Sequence, residues 1–517
     1  TQGKGAIAIG AEWYDGSSTY GAPGYCLQGI NSIAIGTSAG ETYQGQFSIA
    51  IGFNAGALTQ QSNAIAIGTR AGLNGQACYS LAIGHEAGRD GSQEGTIALG
   101  YQAGSISQSI FSIAVGYLSG KQQGPDCVAI GSEAGSAGQS GYSVAVGYQA
   151  ASNGQDVYAI AIGSEAGKNA QKSNSIAIGQ QSGLVNQGAD SIAIGYQSGQ
   201  SNQQQSSVAI GYQAGQFTQG VQSVAVGYLA GQTAKGVQSV AIGNQCGLDS
   251  QGESALAIGD RAGQSFQQQG AIAIGQYSGN SFQGRFAVAI GGSAADRFQG
   301  ENAIALGTQA GQIEQQTGAI AIGYLAGNRG TSLTVGPGQG TNAIALGVNA
   351  GQTHQLSGAI AIGYQAGQSE QGINSIAIGN AAGQVNQPQN SIVLNASGLT
   401  LNAATQSAFY VNPIRNAKTS GKIVYYDPAT SEVIYDASGG TASIPSGTNW
   451  ADYLYWDSSN NTWAVGDPNI TLGGFAGQTN QGSYAIALGY QAGNSGQKTG
   501  SIAIGWQAGF LDQSGNS

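Results

Sequence analysis

The chain repeats one short pattern: alternating apolar residues, a glycine, a second glycine four positions on, then a polar stretch. In "SIAIGYQAGQSNQQQS", residues 191–206, Ile192, Ala193 and Ile194 alternate with period two. That predicts a short strand with two unlike faces. The glycine closing the strand recurs at Gly195, Gly211, Gly227, Gly243, Gly259, Gly275, Gly291, Gly307 and Gly323, sixteen residues apart each time. The comb runs back to Gly36 with one fifteen-residue step, Gly116 to Gly131. It runs forward across a 24-residue step, Gly323 to Gly347, and reappears at Gly473, Gly489 and Gly505. Gly195 and Gly199 suit corners that need positive φ. One strand, two corners and a polar return make one coil. The predicted fold is therefore all-β: a parallel β-solenoid, or β-roll, of sixteen-residue coils, each strand pairing with its copy about 4.8 Å away.

Two columns of identical residues run through this repeat. Between the large apolar positions stands alanine: Ala193, Ala209, Ala225 and Ala241, with Val393 breaking the column late in the chain. A position that stays this small implies that another backbone lies against it. The expectation is that the Ile face fills the coil and the Ala face packs on the axis of a homotrimer, hiding an apolar ribbon from water. The alternation fits the opposite parity as well, with Ala inside and Ile on the axis. Glutamine stands eight residues after the comb glycine at Gln203, Gln219, Gln251, Gln267 and many further coils, a spacing that predicts an amide ladder between rungs.

The repeat is interrupted in three places, which sets the expected domains. Residues 1–395 form the roll, with loop insertions at 11–30 and 328–341; residues 396–470 form an inserted aromatic-rich β domain; residues 471–517 resume the roll. In the insert, "KIVYYDPATSEVIYD" and "YLYWDSSNNTWAV" each read as a hairpin. Tyr425, Tyr426, Trp450, Tyr455, Trp456 and Trp463 concentrate there, and aromatic faces suit sugars, so they form the candidate surface for a cell-surface glycan. The Tyr196, Tyr212, Tyr228 column is a second candidate, or simply a stack that stiffens the surface.

Composition narrows the functional classes. The 517 residues hold 89 Gly but only 8 Pro, and 8% are charged, against roughly 25% in an average globular protein. A net charge of −10 argues against nucleic acid as a partner. No apolar run reaches the roughly 20 residues of a membrane span. With no Met in the chain, a segment ahead of Thr1 is expected. Cys26, Cys78, Cys127 and Cys246 form no CxxC, and Cys246 takes the place of a small buried residue. His85 and His354 stand on different coils, His85 at an exposed position. Asp427, Asp436, Asp452 and Asp457 could pair as glycosidase carboxylates, but each sits beside a predicted turn, where Asp is ordinary. Asn395, Asn460 and Asn469 carry glycosylation sequons. Neither an enzyme nor any cofactor or metal is expected.

"NSIAIGTSAG" (31–40), "NSIAIGQQSG" (174–183) and "GAIAIGYQAG" (358–367) resemble the head repeats of YadA-like trimeric autotransporter adhesins, over about four-fifths of the chain. That resemblance implies a left-handed parallel β-roll, trimeric, with a role in surface adhesion. The coil here is sixteen residues rather than slightly shorter, and neither a heptad stalk nor a β-barrel anchor accompanies it. The arrays, followed by "NSIVLNASG", "FYVNPIR" and "IVYYDPATSEVIY" between 390 and 435, are also similar to repeat-containing fibre-like proteins of large DNA viruses. Together these favour a structural fibre, extracellular or on a virion surface, whose trimers stack end to end as a filament. The alternative is an adhesin that grips a host glycan or protein through the aromatic insert.

Overall fold

A computed structural model describes residues 2–10, 13–14, 19–20, 23–24, 27–329, 338–414, 424–435, 453–457, 460, 462–465 and 469–512. It divides into two compact units, residues 1–414 and 415–517. Every regular element is a β-strand. The first unit is a single parallel β-solenoid whose coil strands form a 25-stranded sheet. At about 4.8 Å per rung, those 25 strands span roughly 115 Å. The register is without slip: Ile192, Ala193 and Ile194 pair with Val208, Ala209 and Ile210, which pair in turn with Val224, Ala225 and Val226. Across the Gly116–Gly131 step the rung still pairs in phase, Ala114 with Ala129. Stacking continues beyond the expected end of the array, since Phe409–Asn412 pairs in parallel with Ile392–Asn395. In the second unit the roll is a three-stranded sheet of Ile470–Leu472, Ile486–Leu488 and Ile502–Ile504.

The comb glycine follows from stacking. Gly211 has a φ of 129°, and a Cβ there would lie 2.3 Å from the carbonyl oxygen of Gly227 on the next coil. A side chain there meets the next coil's backbone, so the position is glycine from Gly36 to Gly379; at the end of the array Asn395 takes it.

The parity of the strand is the reverse of the favoured expectation. Ala193, Ala209, Ala225 and Ala241 are each 0% exposed within the single chain, so they line the coil interior and are not a trimer contact. The backbone lying against them is the chain's own. A Cβ built on the second corner glycine, Gly199, would sit 3.2 Å from the Ala193 Cβ. The sixteen-residue coil is too narrow for Ile on this face, and the Ile and Val side chains turn outward.

What fills the interior instead is methyl groups and amides. Gln251, Gln267 and Gln283 are buried, and each Nε2 donates to the next rung's Oε1, at 3.0 Å for Gln251 to Gln267 and 3.0 Å for Gln267 to Gln283. The same amide nitrogen donates to a strand carbonyl of its own coil, as in Gln251 to Val240 O at 2.8 Å. The ladder continues through Gln299, Gln315, Gln339, Gln355, Gln371 and Gln387. Gln203 and Gln219 occupy the column and donate to Ile192 O and Val208 O, at 2.8 and 2.7 Å, but are not bonded to each other. A buried amide must be hydrogen-bonded to be tolerated, and this core meets the requirement mostly through the strand carbonyls.

Gln339 shows how the 24-residue step is absorbed. It accepts from Gln315 at 3.0 Å, so the eight extra residues enter before the ladder position. Part of that insertion, 330–337, lies outside the described residues, as does part of the 11–30 loop. Within the latter, Trp13–Tyr14 and Thr19–Tyr20 pair antiparallel.

Candidate functional site

Three surfaces of the chain are built from the repeat or its interruption. The first is the outward strand face. Ile192 and Ile194 and their equivalents stand half-exposed on every coil; Ile210, Ile242 and Leu306 are 36%, 39% and 42% exposed. Two such columns about 7 Å apart along a roll of roughly 115 Å make an apolar stripe on the order of 800 Å². Monomeric proteins rarely leave a patch larger than about 300–600 Å² open.

The second surface is a set of ring ladders. Tyr196, Tyr212 and Tyr228 stack with centroids 5.2 Å apart and planes within 16°. Phe266, Phe282 and Phe298 do the same at 4.8 and 5.1 Å. His85 stacks on Tyr101, which stacks on Tyr117, at 5.0 and 5.3 Å. In such a ladder each interior ring has both faces covered by its neighbours and presents only an edge. A sugar needs a ring face, so the Tyr column reads as stiffening of the surface, not as a sugar platform.

The third is the insert. Tyr425 and Tyr426 lie in Val424–Asp427, which pairs antiparallel with Glu432–Tyr435. Tyr455, Trp456 and Trp463 lie in the hairpin of Leu454–Asp457 and Thr462–Val465, where Trp456 is directly opposite Trp463. Their rings meet edge to face at 5.6 Å. Among the described residues no strand of one hairpin contacts a strand of the other. Trp450 lies outside the described residues.

What the Trp hairpin does join is the resumed roll. Tyr453 donates its hydroxyl to Asn469 O at 2.6 Å and accepts from Thr471 N at 3.1 Å. It thereby takes over a backbone donor on the free edge of Ile470–Leu472, where a preceding coil would otherwise pair. Trp456, Trp463 and Tyr453 on one side, and Phe475, Gln478 and Gln481 on the other, enclose an open cleft of about 830 Å³. Phe475, Gln478 and Gln481 were invisible as site residues in the sequence, because each occupies an ordinary repeat position.

Charged chemistry is sparse. Glu86, nearly buried, accepts from Arg70 at 3.3 Å, Arg89 at 3.1 Å and Gln102 at 2.8 Å. Burial pushes its carboxyl upward, and the hydrogen bonds from Gln102 and Arg70 with the charge of Arg89 outweigh that and hold it below the usual range. A carboxylate so fully engaged is a poor general base. Asp427 accepts from Ala429 N at 2.8 Å, an ordinary turn contact; Asp436 and Asp452 lie outside the described residues. Among the described residues no His, Cys, Asp and Glu cluster could hold a metal, and no helix is long and apolar enough to cross a membrane. Cys246 is buried and free. Asn395 and Asn469 are buried, which removes two of the three sequons from the surface.

Segments 44–71, 141–166 and 219–245 match the YadA head domain repeat. No curated protein and no solved structure matches the chain. The chain thus carries segments similar to YadA head repeats on a parallel β-solenoid.

Proposed function

We propose that the chain is a surface-exposed fibre protein, carried outside a cell or on a virion, whose rolls assemble side by side as a homotrimer. The observation that carries this is the uninterrupted outward stripe of Ile, Val and Leu. It is too large to face water along its whole length, and it repeats with the rung spacing, so identical chains match it rung for rung. The trimer number rests on the similarity to YadA head repeats, a family of trimeric proteins. The axis is then lined by Ile194, Ile210, Val226 and Ile242, while the Ala column stays inside each coil. Rigidity comes from stacking: each coil is fixed by its two neighbours through backbone, amide and ring ladders.

Sedimentation of the full chain tests this. A trimer is expected, and Lys at Ile194, Ile210 and Ile242 together should give folded monomers. A stable monomer of the unsubstituted chain overturns the proposal. Species larger than trimers, growing with concentration, would extend it to an end-to-end filament. A second reading, adhesion, is favoured by the aromatic cleft at the Trp hairpin: the same fibre would hold a binding head away from its surface. Deleting residues 396–470 should then abolish attachment to cells while leaving fibres intact.

A further inference from the structure

The cleft between the Trp hairpin and the first resumed coil lies where a preceding coil would stack. In the interior of the roll every coil donates back to the one before: Gly489 N to Leu472 O at 2.8 Å, and Gln491 N to Gly474 O at 2.9 Å. The equivalent donors of the first resumed coil, Gly473 N and Phe475 N, have no such partner among the described residues and line the cleft. The ladder position behaves likewise. In much of the ladder a Gln Oε1 accepts from the previous rung, as Gln267 does from Gln251, though Gln203, Gln219 and Gln497 do not; Gln481 donates to Ala485 O at 3.4 Å, and its Oε1 accepts nothing among the described residues. Gln478 Oε1 is held by Asn494 at 3.0 Å, which fixes that amide and leaves its NH₂ toward solvent.

Opposite these groups stand two half-exposed indoles, Trp456 and Trp463, at 48% and 47%, set at 77° to each other. The cleft therefore combines non-parallel aromatic faces with fixed amide and backbone hydrogen-bonding groups. None of its lining residues among those described is charged. Its volume of about 830 Å³ falls within the range of small-molecule sites, roughly 300–1,000 Å³.

We infer that this cleft is a binding site for a neutral saccharide, with Trp456 and Trp463 stacking on sugar faces and Gly473 N, Phe475 N, Gln478 and Gln481 hydrogen-bonding its hydroxyls. An anionic ligand would find no counter-charge among the described lining residues. An extended peptide adding to the free edge is disfavoured by Tyr453, whose hydroxyl already occupies Thr471 N, the central backbone donor of the three-residue strand Ile470–Leu472. The inference rests on the adhesive reading and gives it a ligand class and an address.

The test uses the full chain with cellotetraose, maltotetraose and mannotetraose as neutral probes, read by calorimetry and tryptophan emission. At least one should bind. Trp463→Ala and Gln481→Leu should each weaken it about tenfold or more, Trp463→Phe should retain most affinity, and Trp506→Ala, on the last coil, should change nothing. Circular dichroism of each variant separates lost contact from lost fold. No binding of any probe up to about 10 mM, or equal affinity across the variants, overturns the site. So does capture of a synthetic Ser-Ile-Ala-Ile-Gly peptide in place of the sugars. Sedimentation of the same samples reads fibre assembly separately, so a monomer that binds sugar refutes the trimer and not the cleft.

Discussion

One rung of the amide spine carries a lysine. Lys235 stands in the Gln column between Gln219 and Gln251, 4% exposed, and its Nζ donates to Gln251 Oε1 at 2.8 Å as its only hydrogen bond. An ammonium there would bury a charge with two N–H groups unanswered. The one other titratable group facing it in the interior is Cys246, whose thiol burial pushes up to about 12, so it supplies no counter-charge. Asp249, on the adjacent rung, is turned outward onto Thr233 Oγ1 at 2.7 Å. Burial accordingly lowers the amine from 10.5 to about 7. At about 1.4 kcal/mol per pH unit this amounts to roughly 5 kcal/mol, capped in practice by the cost of opening the two coils locally. Because the folded value is the lower one, the unfolded chain binds more protons between about pH 7 and 10.5, so stability rises with pH across that window. Below about 7 both states are charged, and the penalty is constant and complete. Lys235→Gln removes the charge and restores the spine. It should stabilise residues 224–258 most at and below neutral pH, with the advantage shrinking toward pH 10. Hydrogen exchange of peptides from this region, corrected for intrinsic rates and followed from pH 6 to 9, measures it. Identical pH dependence in the two proteins would refute the reasoning, as would a Lys235 amine titrating near 10.5 in the folded fibre.

Other expected outcomes follow from the coil interior. Ala209→Leu should unfold its own coil rather than separate chains, because the Gly215 corner lies against Ala209; overpacking costs about 1–3 kcal/mol, visible as local proteolysis with unchanged trimer mass. Gly211→Ala should add strain of about 1–3 kcal/mol and push the Gly227 coil away, read as lost exchange protection on both rungs. Gln267→Leu leaves the buried Gln283 Oε1 without its donor and should cost about 1–3 kcal/mol, measurable by denaturant melting of a fragment spanning several coils against its unsubstituted counterpart.

The strands, corners and phase of this roll were legible because each is written into residue type at fixed spacing. Ile-Ala-Ile marks a two-faced strand, and a glycine recurring at a fixed interval marks a rung contact. Which face turns inward was not legible, because alternation distinguishes two faces without orienting them. The persistent smallness of Ala193 signalled a close backbone, and sequence alone could not say whose. The choice also ran against the rule that large apolar residues fill cores: here the enclosed space admits methyls and flat amides, and the amides find carbonyls. Gln219 and Gln251 point to a ladder, yet nothing in the sequence marks Lys235 between them as part of it, since a lysine in a polar stretch looks solvated. The cleft was half visible. Trp456 and Trp463 stood out by composition, but Phe475, Gln478 and Gln481 differ from their repeat equivalents only in having no coil beneath them among the described residues.

A stack of interchangeable rungs has a hazard that the uniform register hides. Sliding one chain along another by a whole coil would leave nearly every contact of the outward stripe satisfied, so a bundle of such chains has many alignments of similar free energy. The departures from uniformity break that degeneracy. The short step between Gly116 and Gly131, the long step between Gly323 and Gly347 and the longer one between Gly10 and Gly36 sit at unequal intervals, like the offset marks of a vernier. A chain displaced by one coil sets its short coil against a full one and its long step against a regular one. Only zero displacement brings all the marks into coincidence, so in the proposed trimer the flaws in the repeat would let three copies find a single alignment.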